Sequence, residues 1–260
     1  MVSDPLRFEV EPRLHGASMI AAFEGWNDAG ESATSALRYL AAAIRSVPVA
    51  EIDGEEFLDF TVRRPLVRFG ADGTRVIDWP GTRFRFGSAD PTRELVVAHG
   101  VEPHVQWRRY CDLFASVVAR LHVSRVVLLG AYVADVVYSR PVLVTGFASE
   151  AGLLESIDVT ASRYEGPTGI VGVLGERLQQ DGVEVMSLWA GLPHYISASP
   201  NPRGSLALLQ KLDACMKLTV DLEPLRREAA AFEERISALV AADPDLSEYV
   251  RQLKRREFNQ

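Results

Sequence analysis

The sequence predicts an α/β fold, with three α/β/α layers around a mostly parallel central sheet, an inserted short β-hairpin region and a C-terminal helical hairpin. Apolar, strand-like segments alternate several times with amphipathic, helix-like segments, which is typical of a mostly parallel sheet covered on both faces. The 260 residues are 47% hydrophobic and 24% charged, an ordinary composition for a chain with a large core. We expect an α/β domain over residues 1–218 and a helical extension over residues 219–260.

The first strand–helix unit is the most informative part of the chain. Residues 18–23 form a continuous apolar run, which predicts a strand buried on both faces. Apolar residues then recur at three- and four-residue spacing over 33–44, which predicts an amphipathic helix. The loop between them, residues 24–30, lies at the carboxyl end of the strand, where α/β proteins bind ligands. Asp28 has two interpretations, a cap of the following helix or a ligand-binding group.

Residues 51–97 change from continuous apolar runs to an alternation of apolar and polar residues. Glycine and proline turn residues separate these segments. The pattern predicts short antiparallel strands or a hairpin, exposed on one face, before a buried strand at residues 93–98. The alternating segments are 57–62, 66–69, 75–79 and 83–86.

The second half of the chain returns to alternating strands and helices. Leucine and other apolar residues at a 3-4 spacing continue from Leu222 to Leu253, and predict a helical hairpin with a narrow apolar seam. That hairpin packs either on its own domain or on a neighbouring subunit. The remaining predictions are helices at 110–121, 169–180 and 206–218, and strands at 126–130, 141–146 and 183–189.

Several classes of function are disfavoured by composition and motif content. A net charge of −7 argues against nonspecific nucleic-acid binding and against docking on an anionic membrane. The two cysteines, Cys111 and Cys215, have no CxxC partner and are typical of a reducing compartment, so we expect a cytoplasmic protein without a signal peptide. The histidines show no metal-ligand spacing, and no dinucleotide, Walker A or GxSxG motif is present, so we expect no metal and no cofactor.

Polar and aromatic residues nevertheless gather at the predicted strand ends. Because parallel strands end at one edge of a sheet, these residues are candidates for a shared ligand pocket. Each also has an ordinary structural interpretation, and no spacing among them identifies a catalytic residue. The candidates are Glu24, Trp26, Asn27, Asp28, Glu102, Trp107, Arg140, Glu165, Thr168, His194 and Tyr195.

Five groups of segments form a recognisable set: 23–30; 102–103 with 107–108; 140–141 with 144–146; 164–170; and 193–195 with 200–202. Together they resemble the proteasome assembly chaperone 2 family, in its actinobacterial-type members. The resemblance covers roughly residues 15–215, and the first and fourth groups are the most specific. It implies a phosphorylase/hydrolase-like fold and a cytosolic homo-oligomer.

The resemblance also implies a role. Eukaryotic and archaeal relatives assist assembly of the proteasome core particle, some of them through a C-terminal hydrophobic–Tyr–X signal. This chain ends Phe258-Asn259-Gln260, so we expect no docking by that route. Two hypotheses remain: an interaction or assembly factor whose protein partners include proteasome subunits, or a small-molecule (nucleoside-like) binding protein or hydrolase that uses the strand-end pocket. Whether the chain is an enzyme stays open.

Overall fold

The computed structural model describes residues 4–90, 93–150 and 152–258. Nine of its strands form one sheet in the order β1-β3-β6-β7-β2-β8-β11-β9-β10, and β4 and β5 form a separate two-stranded sheet. The strands are β1 Leu6–Phe8, β2 Ala17–Glu24, β3 Val47–Asp53, β4 Leu66–Phe69, β5 Arg75–Asp78, β6 Gly81–Asp90, β7 Arg93–Val101, β8 Val123–Ala134, β9 Val144–Ala148, β10 Thr160–Ala161 and β11 Glu184–Pro193.

The centre of the large sheet is parallel. Strands β7, β2, β8 and β11 pair in parallel with one another, in that order. On either side of them, β6 pairs antiparallel with β7, and β9 pairs antiparallel with β11. The central strands are buried on both faces, which explains their continuous apolar sequences. The predicted α/β class with a mostly parallel centre is therefore confirmed.

Helices cover both faces of the sheet and complete the three layers. Helices α2 and α4 pack in the core on one face, and α1 and α5 pack in the core on the other. Both cysteines are free thiols, Cys111 buried on α2 and Cys215 half-buried on α5. The helices are α1 Ser32–Ala43, α2 Trp107–Arg120, α3 Leu153–Ser156, α4 Ile170–Gln180, α5 Pro202–Met216, α6 Glu223–Ala242 and α7 Pro244–Phe258.

Two predictions about the early strands need correction, and two further strands were not predicted. Residues 57–62 are not a strand; they lie in consecutive turns, because the ring of Phe57 is buried against Tyr110 with 5.4 Å between ring centroids. Residues 83–86 belong to β6 of the large sheet rather than to a small hairpin. Strands β1 and β3 lack a clear sequence pattern, since both are partly exposed.

The hairpin β4–β5 and the C-terminal helices lie outside the three layers. The two hairpin strands pair antiparallel with each other, so the predicted inserted hairpin is confirmed. Helix α6 packs on α5, and residues of α6 and α7 share a small apolar cluster with Val137. In the part of the chain that the structure describes, no helix is long and apolar enough to cross a membrane.

Candidate functional site

The loop after β2 is packed against the ends of the neighbouring strands. Gly25 has φ +127°, a backbone conformation that residues with a side chain rarely adopt. A Cβ atom at this position would lie 3.2 Å from the Cβ atom of Glu102. Asn27 is fully buried, and its backbone carbonyl oxygen accepts a hydrogen bond of 2.8 Å from the backbone N–H of Ala131 in β8. The loop therefore joins the ends of two central strands.

Glu102, just beyond β7, is the centre of a hydrogen-bond network in this region. Its Oε1 accepts from Asn27 Nδ2 at 2.6 Å and from the N–H of Ile170 at 2.8 Å. Its Oε2 accepts from the N–H of Trp26 at 3.3 Å. Ile170 is the first residue of α4, so the carboxylate occupies the helix N-terminus, where an anionic ligand would otherwise be favoured.

Gly169 allows α4 to approach the loop this closely. A Cβ atom at Gly169 would collide with the side-chain amide of Asn27, so only glycine fits. Asn27 Oδ1 is buried there and has no hydrogen-bond partner among the described residues. The contact holds the glycine-rich helix start against the end of β2.

The carboxylate of Asp28 accepts its hydrogen bonds from the first turn of the following helix, α1. Its Oδ1 accepts from the N–H of Ala33 at 2.7 Å and of Thr34 at 3.3 Å, and its Oδ2 accepts from the Thr34 hydroxyl. Burial raises the pKa of this carboxyl above its usual range, although the three hydrogen bonds act in the opposite direction. Asp28 therefore caps the first turn of α1, the first of its two sequence-based interpretations.

Glu24 points to the other side of the β2 end. Its carboxylate forms an ion pair with Arg63 and lies 3.3 Å from His99 Nε2 in β7. These side chains border a cavity of about 140 Å³ between the large sheet and the hairpin β4–β5. Burial lowers the pKa of His99, so its imidazole is neutral at pH 7.

Arg140, His194 and Tyr195 lie in a third region, near the C-terminal helices. His194 Nδ1 lies 3.0 Å from Asp135 Oδ1, and the His194 ring meets the rings of Tyr195 and Tyr249 edge to face. The Tyr195 hydroxyl accepts from the N–H of Tyr138 and donates to the Val136 carbonyl. The carbonyl of Arg140 accepts from Arg203 Nη2 at 2.7 Å. These contacts fasten the β8–β9 connection to neighbouring helices.

The last four candidates have little in common. Trp26 is 63% exposed and uses only its backbone N–H in the network. Trp107 is half-buried at the start of α2 and packs against the core. Glu165 and Thr168 are exposed in the segment before α4. The structure thus brings Trp26, Asn27 and Glu102 together and distributes the other candidates over separate places.

Two features were missed by the sequence analysis. The hairpin β4–β5 exposes large apolar side chains, and several arginines surround the cavity beneath it. The consecutive residues Arg63 and Arg64 were a sequence signal for this positively charged cavity. His99 and Arg83 are distant in sequence, and only the fold brings them beside that pair. Among the described residues, no group of three or more His, Cys, Asp or Glu is arranged to hold a metal ion.

The geometry can be compared with known proteins. The model of the PAC2 family matches residues 22–240, most of the chain. The chain belongs to the PAC2 family. This confirms the resemblance seen in the sequence, and it accounts for the α/β/α architecture. No functionally curated protein matches this PAC2-family chain.

Solved structures support the same assignment. The chain is 40% identical to a PAC2 family protein from Streptomyces avermitilis, with TM-score 0.83, 90% of this chain and 99% of that one covered. It is also 40% identical, at the same coverage and TM-score 0.81, to a proteasome-assembly chaperone homologue from Mycobacterium tuberculosis. An archaeal proteasome activator from Pyrococcus furiosus shares the fold at 16% identity, with TM-score 0.70 and coverage of 90% and 97%.

Proposed function

We propose that this PAC2-family chain is a cytoplasmic protein-interaction factor that assists assembly of the proteasome core particle. We propose further that it docks on its partner through the outer face of the hairpin β4–β5. The observation that carries this proposal is the apolar side chains on that face. Phe69 is 74% exposed, and Val67 and Ile77 are each 48% exposed.

Strand geometry places these side chains together. Val67 pairs with Ile77 and Phe69 pairs with Arg75, and residues two apart in a strand share a face. The opposite face carries Leu66, Arg68 and Asp78, which border the cavity. Exposed apolar patches of this kind mark protein interfaces, and an isolated hairpin is at best marginally stable in water. A partner surface that covers the outer face would bury the apolar side chains and stabilise the hairpin.

The charge of the hairpin region indicates what kind of partner fits. Residues 62–79 contain four arginines and two aspartates, a net charge of +2 in a chain of net charge −7. Complementary charge speeds encounter and favours one orientation over others. We therefore infer a partner surface with apolar residues surrounded by acidic ones.

The relatives and the strand-end geometry favour an assembly role over catalysis. A relative at 40% identity is named a proteasome-assembly chaperone homologue. The polar groups that resembled an active site, Asn27, Asp28 and Glu102, are engaged in internal hydrogen bonds. No contact among the described residues favours the nucleoside-like ligand over this role.

The proposal is tested with purified proteasome core subunits from the organism that encodes the chain. We expect the wild-type chain to co-elute with them on size exclusion and to raise the yield of assembled particles. The double variant Phe69→Ser, Ile77→Ser should lose at least about tenfold in affinity, since each buried apolar side chain contributes about 1.5–3 kcal/mol.

Leu239→Ser is the matched control, because Leu239 is 61% exposed on α6, far from the hairpin in sequence. It should bind like the wild type. Urea unfolding should show that all variants are folded. Absence of binding by the wild-type chain, or equal losses in the hairpin variant and the control, would overturn the proposal.

We also propose that the chain forms a homo-oligomer, as the family resemblance implies. The apolar seam of α6 is already buried in its own chain, at Phe232, Ile236 and Val240. We therefore propose that the subunit contact lies outside that seam. Light scattering tests this directly: a mass above one subunit supports it, and a monomeric mass at micromolar concentration contradicts it.

A further inference from the structure

The cavity beneath the hairpin is bounded by two parts of the fold. The ends of β2 and β7 contribute Glu24 and His99, and the inner face of β4–β5 contributes Arg68 and Asp78. Its volume is about 140 Å³, whereas one water needs roughly 10–15 Å³ on the same measure. There is room for a phosphate group or a short carboxylate.

The lining of this cavity has an excess of positive charge. Four arginines and two acidic residues border it, and neutral His99 does not change that balance. The excess is opposite in sign to the net charge of −7 on the chain. Clefts lined by one sign of charge concentrate ions of the other sign. The arginines are Arg63, Arg64, Arg68 and Arg83, and the acids are Glu24 and Asp78.

The arginines differ in whether the chain itself neutralises them. Arg63 forms an ion pair with Glu24, and both Arg68 and Arg83 pair with Asp78. Arg64 is exposed at the cavity and forms no hydrogen bond or ion pair with any described residue. An unpaired guanidinium presents two parallel N–H donors, the arrangement that matches carboxylate and phosphate oxygens.

Two further features suit a ligand with an apolar part. His99 Nε2 is 3.3 Å from Glu24 Oε1 but makes no hydrogen bond with it, so this buried nitrogen retains hydrogen-bonding capacity. Trp79 and Leu66 form an apolar wall, and the Trp79 ring is held against Phe60 with 5.1 Å between ring centroids. The cavity thus has a cationic side and an apolar side.

We propose that this cavity binds a small organic oxyanion, through a phosphate or carboxylate group held by Arg64 and an apolar part against Trp79. The site lies on the inner face of the hairpin, so it is independent of the docking face proposed above. Phosphate and carboxylate share the recognition chemistry, and the experiment separates them.

Isothermal titration calorimetry of the full chain tests the site, with inorganic phosphate and succinate as separate probes at constant ionic strength. We expect saturable binding of at least one probe. Arg64→Gln should weaken it at least about tenfold, because a hydrogen bond to a charged group contributes about 1.5–3 kcal/mol. Arg75→Gln, on the outer face of the same hairpin, should change the dissociation constant less than about twofold.

Glu24→Gln gives a prediction of the opposite sign. Removing this carboxylate takes a negative charge from the cavity and releases Arg63, so binding should tighten by about threefold or more. Binding of phosphate alone or of succinate alone supports the site and identifies the group it takes. Absence of saturable binding by both probes overturns it, and so do equal losses in Arg64→Gln and Arg75→Gln, which would indicate a general effect of surface charge.

Discussion

The loop at residues 24–30 and the hairpin β4–β5 use their side chains in opposite ways. In the loop, Asn27 and Asp28 are buried and bound to the backbone or side chains of neighbouring elements. In the hairpin, Phe69 is exposed, and Arg64, two residues before β4, is unpaired among the described residues. Polar residues at the end of a strand thus hold this fold together, whereas the available surface lies in the region that had seemed a simple insertion.

The difference follows from where each segment sits. The loop lies under β7, β8 and the start of α4, and a polar group buried there must be hydrogen-bonded or it destabilises the fold. The hairpin forms a sheet separate from the large one, and the apolar side chains on its outer face are exposed. Its apolar residues Val67, Phe69 and Ile77 are therefore exposed in the single chain, and the proposed docking partner would bury them.

Glu102→Ala should produce the largest effect that this comparison predicts. It removes three accepted hydrogen bonds and leaves the side chain of Asn27 buried without a partner. We expect the free energy of unfolding to fall by about 3 kcal/mol, measured by urea denaturation. Glu165→Ala is the control, since Glu165 is exposed before α4 and should change stability by less than about 0.5 kcal/mol. A near-neutral Glu102→Ala would mean that the network does not stabilise the fold.

Asp28→Ala should cause the next largest loss of stability. Two N–H groups of α1 and the Thr34 hydroxyl lose their acceptor, so unfolding should become easier by about 2 kcal/mol. Asp28→Asn keeps an acceptor oxygen and should cost less than half of that, because burial already disfavours the charged form. Equal losses in the two variants would show that Asp28 contributes charge rather than capping.

The fold class could be predicted from the sequence. For the loop at residues 24–30, the sequence predicted its position in the fold but not the contacts that its side chains make. Residues 19–23 and 126–130 are continuously apolar because both faces of the central strands are buried, so their pattern predicts the fold. Glu102 was recognised as a strand-end residue, but its partner Ile170 lies 68 positions away and is set by tertiary packing. The division of the chain at residue 218 stays a prediction.

The errors have the same origin. Residues 57–62 alternate like a strand, but in the structure Phe57 packs on Tyr110 and Phe60 packs on Trp79 from within turns. Alternation also does not tell which strands leave the main sheet. The segments 66–69 and 83–86 look alike in sequence, yet one belongs to the hairpin and the other to β6.

His99, between the loop and the hairpin, should give a moderate, pH-dependent effect. Its native pKa is lowered chiefly by burial, with Glu24 acting in the opposite direction and Arg38, Arg63 and Arg83 adding to the lowering. As pH falls below about 6.5, the unfolded chain takes up a proton that native His99 resists, so stability is lost. Above that pH the contribution is constant.

The variant His99→Gln isolates this effect, because it differs from the wild-type chain only in the ionisable group whose protonation is tested. Urea unfolding at about pH 7.5 and about pH 5.5 brackets the unperturbed histidine pKa. We expect the wild-type chain to lose more stability than the variant between these two conditions. Parallel losses would show that His99 is protonated as easily in the native state as in the unfolded chain.

Trp26→Ala should have the smallest effect, although Trp26 is the most conspicuous residue of the loop. Its ring is 63% exposed, and only its backbone N–H, which alanine keeps, donates to Glu102. We expect a change below about 0.5 kcal/mol in the free energy of unfolding of the isolated chain. A loss above about 1 kcal/mol that grows with protein concentration would show that the ring is buried against a second copy. That result would make the loop an interface as well, and the contrast with the hairpin would no longer hold.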